Sequence, residues 1–195
     1  MMTELNSEKL VIFSAPSGSG KTTIVRHLVS ISDLNLEFSI SACTRKKRVN
    51  ETDGKDYYFI SVDEFRMKID DDDFVEWEEV YKNHYYGTLK NELQRIWNSG
   101  NHVAFDVDVM GGMNLKRQFG DRALSVFVMP PSIEELQKRL EKRGTDTKER
   151  IEGRLAKARF EMKYADKFDR ILVNDSLENA LKEAERIVRE FLEKS

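Results

Sequence analysis

The chain has one cysteine in 195 residues, Cys43, so no disulfide can close within it, and no Cys/His cluster has the spacing of zinc ligands. Cys43 reads as a small packing residue. His27, His84 and His102 stand singly and read as structural or surface groups. No apolar run approaches the roughly 18 residues that a membrane span requires. The opening residues, MMTELNSEKLVIF, are polar and acidic before their first apolar stretch, unlike a signal peptide. Positive charge is not in excess: 32 Lys and Arg face 35 Asp and Glu, a net charge of −3, which argues against bulk attraction to nucleic acid or an anionic membrane. A cytoplasmic protein with neither kind of partner is the expectation. There is also no long linker, repeat or low-complexity tract, so any subdivision must arise by insertion into one fold.

What is present is enough apolar residue, 39%, for a packed core. Leu10 to Phe13 is a short continuous apolar run, as in a strand buried on both faces of a parallel sheet, and Val103 to Val107, Leu124 to Met129 and Ile171 to Val173 are similar buried-strand candidates. Helical patterns follow or separate them at 22–29, 88–99, 114–119, 132–143, 148–164 and 177–192. Ser132 with Glu135 has capping-box spacing, and Gly144 stands where a helix C-cap belongs. Alternating strands and helices predict an α/β fold with a central parallel sheet.

Residues 38–86 break that rhythm with short β-like pieces (38–42, 57–60, 74–80) and a short helix capped by Ser61 and Glu64. This stretch reads as an inserted mixed subdomain that presents polar groups to a ligand. Charge is also unevenly placed. Between Gln137 and Arg159 there are nine Lys or Arg against four Asp or Glu, with arginines at helical spacing, whereas Asp70 to Asp73 read as a solvated face.

Ala15, Pro16, Ser17, Gly18, Ser19, Gly20, Lys21 and Thr22, followed by Thr23, leave a buried strand and open a helix, the context that a phosphate-binding P-loop requires. Gly18 and Gly20 allow the backbone angles that aim successive N–H groups at phosphate oxygens. The new helix adds the positive end of its dipole. Lys21 can reach the β- and γ-phosphates, and Thr22 is the expected Mg²⁺ ligand. Ala15 replaces the usual first glycine. Asp106 ends the Val-Ala-Phe run, the position of a carboxylate that holds Mg²⁺ or its waters. Such a loop identifies a nucleotide but not a reaction.

Arg45 and Arg48, three apart, with the phenols of the Gly54-to-Tyr57 and Tyr85-to-Thr88 segments, can hold a second phosphate dianion. A P-loop together with a second anion site is what phosphoryl transfer demands. At this point SAPSGSGKTT, FSISACTRKKR, GKDYYF, FVEW, YYGT, DVDV and the RLEKRG…RIEGRL stretch, in that order and over nearly the whole chain, resemble the guanylate kinase family.

The resemblance implies a P-loop NTPase-type three-layer core (1–37, 90–131 and 165–195), a GMP-binding insertion at 38–89 and a helical lid at 132–164. It implies ATP:GMP phosphotransfer in purine nucleotide metabolism, with Mg²⁺ and ATP, and no obligatory protein partner. dGMP is expected beside GMP, since no residue here clearly reads the 2′-hydroxyl. By the resemblance Arg45, Arg48, Tyr57 and Tyr86 bind the GMP phosphate, and Ser41, Glu76 and Thr88 recognise guanine. An ionised carboxylate accepts from guanine's adjacent N1–H and N2–H₂, a donor pair that adenine lacks. The family also puts Asp106 near the substrates, with Asp108 the weaker candidate. Met110 stands where glutamine is expected. Arg139, Arg143 and Arg154 match the lid arginines that stabilise the transferred phosphoryl group; Arg150 and Arg159 match less securely.

Two other readings compete. A non-catalytic guanylate kinase-like protein-binding module would tend to lose P-loop function, yet Lys21 and Thr22 are present. A P-loop kinase for another acceptor would not call for Glu76 with Ser41 and Thr88.

Overall fold

The computed structural model describes residues 8–142 and 147–193. In chain order the elements are β1 (Leu10–Ser14), α1 (Lys21–Ser30), β2 (Leu36–Phe38), β3 (Ala42–Cys43), β4 (Tyr58–Phe59), α2 (Val62–Asp70), β5 (Phe74–Tyr81), β6 (His84–Leu89) and α3 (Lys90–Asn98). Then follow β7 (His102–Val107), α4 (Val109–Phe119), β8 (Ala123–Met129), α5 (Ile133–Lys142), α6 (Lys148–Glu161), β9 (Arg170–Val173) and α7 (Leu177–Leu192).

One sheet is wholly parallel, in the order β2-β7-β1-β8-β9. Its inner strands β7, β1 and β8 are largely buried on both faces because helices cover both. The edge strand β9, expected to be buried on both faces, buries only Leu172 and leaves Ile171 and Val173 exposed. Val11 and Phe13 of β1 face α1 and α7, packing with Ile24, Leu28, Ala184 and Val188. The alternate residues Leu10 and Ile12 face α3 and α4, packing with Leu93, Ile96 and Leu115. This is a three-layer α/β core. The connection leaving β1 runs to one side, toward β2, and the connection leaving β7 runs to the other, toward β8, so a crevice opens between the C-terminal ends of β1 and β7. Phe13 is in register with Asp106 and Ser14 with Val107, which sets the end of β7 beside the loop leaving β1.

The other sheet is mixed, in the order β4-β3-β6-β5, with β3 parallel to β4 and antiparallel to β6. Phe65 of α2 fills one face, stacking on Phe74 and Tyr85 with ring centroids 4.3 and 5.2 Å away. The opposite face is left for polar side chains. Helices α5 and α6 close on a small cluster of their own, Leu136, Leu140, Ile151, Leu155 and Ala158.

Several boundaries differ from the sequence reading. The expected strand at 38–42 is two pieces: Phe38 ends β2 in the parallel sheet, and Ala42 begins β3 in the other. Thr88 and Leu89, expected in a helix, are instead the end of β6, opposite Glu76 and Phe74. Helix α4 starts five residues before the expected Asn114, capped by Asp108, whose Oδ1 accepts from Gly111 N at 2.7 Å. Two glycines in its first turn hid it, since glycine is a poor helix former. Gly112 is required by packing: a Cβ there would lie 2.2 Å from Ser14 Oγ. The expected helix at 148–164 is α-helical only to Glu161 and continues as a 3₁₀ segment, Met162–Lys167. Ser132 caps α5 as expected, accepting from Glu135 N at 3.1 Å. Gly144, the expected C-cap, lies outside the described residues.

Candidate active site

The loop from Ala15 to Gly20 turns sharply between β1 and α1. Gly18 (φ 100°) and Gly20 (φ 92°) are both left-handed, where a side chain is strained. Each is also crowded. A Cβ on Gly18 would come within 3.0 Å of Leu136 and Leu140, and one on Gly20 within 2.3 Å of Asn174 Nδ2. Asn174, at the end of β9 and buried, donates from Nδ2 to the Ser19 carbonyl at 2.7 Å and so pins the loop from below α1. Its own carbonyl accepts from Arg139 Nη2 at 3.0 Å.

At the mouth of the loop, Lys21 forms an ion pair with Asp106 and donates to the Val107 carbonyl at 2.7 Å. Thr22 Oγ1 donates to the other Asp106 oxygen at 2.5 Å. The register of β1 against β7 is what brings these three side chains together. Ala15 through Thr23 line a cavity of about 340 Å³ with Asp106, Asp108, Arg154, Lys157 and Glu161.

A second cavity, about 290 Å³, lies under the polar face of the mixed sheet and is lined by Ser41, Tyr57, Glu76, Tyr86 and Asp106, among others. Strand alternation explains which tyrosine faces it. Tyr85 turns inward onto α2, whereas Tyr86 meets Tyr57 edge-on at 6.1 Å. Glu76 and Thr88 are cross-strand partners, and Thr88 Oγ1 donates to Glu76 Oε1 at 2.8 Å. Thr88 is fully buried, so its reach is to Glu76. Burial pushes the Glu76 carboxyl up to about 7, against the opposing pull of the Thr88 hydrogen bond. Glu78, two residues along the same face, is raised as well, because it shares a hydrogen bond with the Asp108 carboxyl and is partly buried.

Arg45 and Arg48 lie on the loop after β3. Arg45 makes a two-pronged pair with Glu51, Nη1 to Oε2 and Nη2 to Oε1, both 2.6 Å, and its guanidinium lies 4.8 Å over the Tyr57 ring. The Arg45 hydrogen bonds hold the Glu51 carboxyl down at about 2. Arg48 is exposed and gives its backbone N–H to Glu51 at 2.9 Å. Glu51 also lines a wider cleft of about 640 Å³ that runs past Ser41 and Tyr57 to Thr22 and Asp106.

The three lid arginines expected as one group are not described as one. Arg154 lines the P-loop cavity, with Nη1 3.4 Å from Ser17 Oγ. Arg139 lines an adjoining cavity with Gly18, Gly20, Thr23 and Asn174, held there by Asn174 and by its i, i+4 pair with Glu135 at 3.2 Å. Arg143 lies outside the described residues. Sequence reasoning missed Glu51, Asn174, Glu78 and Lys157. Of these, Lys157 had a readable signal: Arg154, Lys157 and Glu161 are spaced three and four apart and share one face of α6.

The guanylate kinase family model matches residues 7–191. The chain is 54% identical to the guanylate kinase of Bacteroides thetaiotaomicron over 186 residues, covering 95% of this chain and 91% of that protein. It is 50% identical to the guanylate kinase of Porphyromonas gingivalis, again over 186 residues, covering 95% and 99%. A crystal structure of guanylate kinase from Anaplasma phagocytophilum superimposes with a TM-score of 0.78 at 26% identity, covering 96% of this chain and 88% of that one.

Proposed function

The chain belongs to the guanylate kinase family, and from that premise we propose that it transfers the γ-phosphoryl group of ATP to GMP, and to dGMP, giving ADP and the diphosphate. The observation that carries this reading is the shared wall of two cavities. Lys21 and Asp106 border both the P-loop cavity and the one lined by Glu76, so a donor phosphate and an acceptor phosphate can meet beside them.

In the reaction an acceptor phosphate oxygen forms a bond to the γ-phosphorus. The bond from that phosphorus to the β,γ-bridging oxygen breaks, and its electron pair leaves with ADP. The protein supplies position and charge rather than covalent chemistry. Residues 15–23 cradle the ATP phosphates, and Lys21, released from Asp106, turns to them. Arg45, Arg48, Tyr57 and Tyr86 take the acceptor phosphate; the Arg45–Glu51 pair holds that guanidinium in place beforehand. Glu76, oriented by Thr88, accepts from the guanine N1–H and N2–H₂, with Ser41 beside it. Arg154, and with it Arg139 and Arg143, supplies lid charge and excludes water. The mixed sheet within 38–89 is then the acceptor subdomain, and α5 with α6, within 132–164, the lid.

The donors near Thr22 and Asp106 fit Mg²⁺. A hydroxyl and a carboxylate are hard oxygen ligands, and the described residues include no cluster of three or more His, Cys, Asp or Glu able to hold a metal. That suits an ion which keeps waters and substrate phosphates as ligands rather than a protein cage. Bound with ATP, Mg²⁺ would neutralise charge on the β- and γ-phosphate oxygens. Among the described residues no helix is long and apolar enough to cross a membrane, and we expect small-molecule substrates and a cytoplasmic setting.

The test is ADP release from ATP with GMP, dGMP, AMP, CMP and UMP in parallel. Turnover with the two guanine nucleotides alone supports the reading; equal turnover with AMP removes Glu76 as the selector.

A further inference from the structure

We propose that Lys157 of α6 is a further catalytic residue, a lid-borne cation that touches the phosphates of both substrates as the phosphoryl group passes between them. The proposal rests on the phosphotransfer reading above and assigns a contact that reading does not require.

Among the described residues, four side chains border both the P-loop cavity and the Glu76 cavity: Lys21, Asp106, Asp108 and Lys157. Two are cations. Lys21 comes from the core, at the foot of α1, while Lys157 comes from α6, which packs on α5 in a separate hydrophobic cluster. Arg154, one turn earlier on the same face, borders the P-loop cavity and contacts Ser17. Lys157 stands further along that face, toward Glu76 and Glu78.

The local charge explains the use of a second cation that faces both cavities. Asp106, Asp108, Glu78 and Glu161 all surround this corner, so carboxylates remain in excess there even after Lys21 leaves Asp106 for the donor phosphates. A triphosphate and a monophosphate entering it bring further negative charge to the place where their oxygens must approach. A lysine there offsets that repulsion, most strongly when both phosphates are present and water is excluded.

Its present engagement suits a group that moves. Nζ is 3.6 Å from Glu161 Oε1, a long ion pair, and the side chain is 53% exposed whereas that of Glu161 is 10% exposed. Glu161 thus marks a resting place at the edge of the cavity. A flexible four-carbon stem with a compact ammonium can leave it without disturbing the helix.

The experiment compares the parent with Lys157→Met, which keeps the stem and removes the charge, and with Lys157→Arg. Thermal melts accompany the kinetics, and the exposed position predicts unchanged folding. For each protein, turnover is measured along with affinities for ADP alone, GMP alone and a bisubstrate analogue joining adenosine and guanosine through five phosphates. A contact made to both phosphates predicts that Lys157→Met loses about tenfold or more in turnover and in analogue affinity, the scale of one charge-assisted hydrogen bond. ADP and GMP taken singly should stay within about twofold, and arginine should restore most of the loss, as a contact formed mainly in the reacting complex requires. Turnover and analogue affinity both near the parent's overturn the proposal. So does a GMP affinity that falls by the same factor as turnover, which would confine the lysine to the acceptor cavity. A parent that forms no GDP overturns the phosphotransfer reading and this proposal together, whereas the variant results bear on Lys157 alone.

Discussion

Replacing Glu76 by glutamine should make the empty protein more stable while weakening its grip on guanine. The Glu76 carboxyl is raised from an ordinary 4.5 to about 7, chiefly by burial. Between those values the folded protein holds a proton that the unfolded chain has lost, so stability falls as pH rises through the interval. Above about 7 both states are ionised and the full cost is present. At about 1.4 kcal/mol per unit this cost reaches about 3 kcal/mol. Glutamine is neutral throughout, and its amide oxygen can still accept from Thr88, as Glu76 Oε1 does at 2.8 Å. Urea unfolding of Glu76→Gln and parent, without nucleotide, should therefore agree near pH 4.5 and diverge to about 3 kcal/mol in the variant's favour by pH 8. Glu78 is raised in both proteins, so its contribution largely cancels in the difference. With GMP the sign reverses: losing a charged acceptor for two guanine donors costs about 2–3 kcal/mol, or roughly 30- to 150-fold in affinity by calorimetry. A stability difference that does not change with pH, or a variant that is the weaker protein at pH 8, would refute the assignment of burial as the cause.

Lys21→Ala should abolish phosphotransfer while leaving GMP affinity within about twofold, because Lys21 serves the donor phosphates and the acceptor residues lie across Asp106; parallel measurement of ADP release and GMP binding checks both halves. Asn174→Ala should destabilise the fold by about 1–3 kcal/mol in urea melts, since the buried Ser19 carbonyl loses its donor. The KM for ATP should rise in that variant, with the KM for GMP unchanged.

Much of this was legible in the sequence because the chemistry is local. The P-loop reads directly: Gly18 and Gly20 are required by positive φ and by the approach of Leu136, Leu140 and Asn174, and Lys21 and Thr22 follow at once. The parallel core reads from runs such as 10–13, which is apolar throughout because both faces are covered. Glu76 is legible through its surroundings in Phe-Val-Glu-Trp, and its pairing with Thr88 follows from strand register. What the sequence hid depends on contacts across the chain. Glu51 meets Arg45 through a loop without periodicity, and Asn174 reaches Ser19 from 155 positions away. The first turn of α4 is hidden because Gly111 and Gly112 have the composition of a turn, whereas Gly112 is there because Ser14 Oγ occupies the space of a Cβ. The lid arginines share a charge pattern, yet Arg139 and Arg154 border different cavities, since Asn174 and Glu135 draw one of them aside.

The central claim is transfer between two nucleotides, and following the γ-phosphorus tests it most directly. ATP labelled at the γ-position is added to the nucleoside monophosphate panel, and the products are separated. The account predicts label in the β-phosphate of GDP, equal in amount to the ADP formed, with none in the diphosphates of adenosine, cytidine or uridine. Label released as inorganic phosphate regardless of GMP, or found equally in a diphosphate of a base other than guanine, would contradict it.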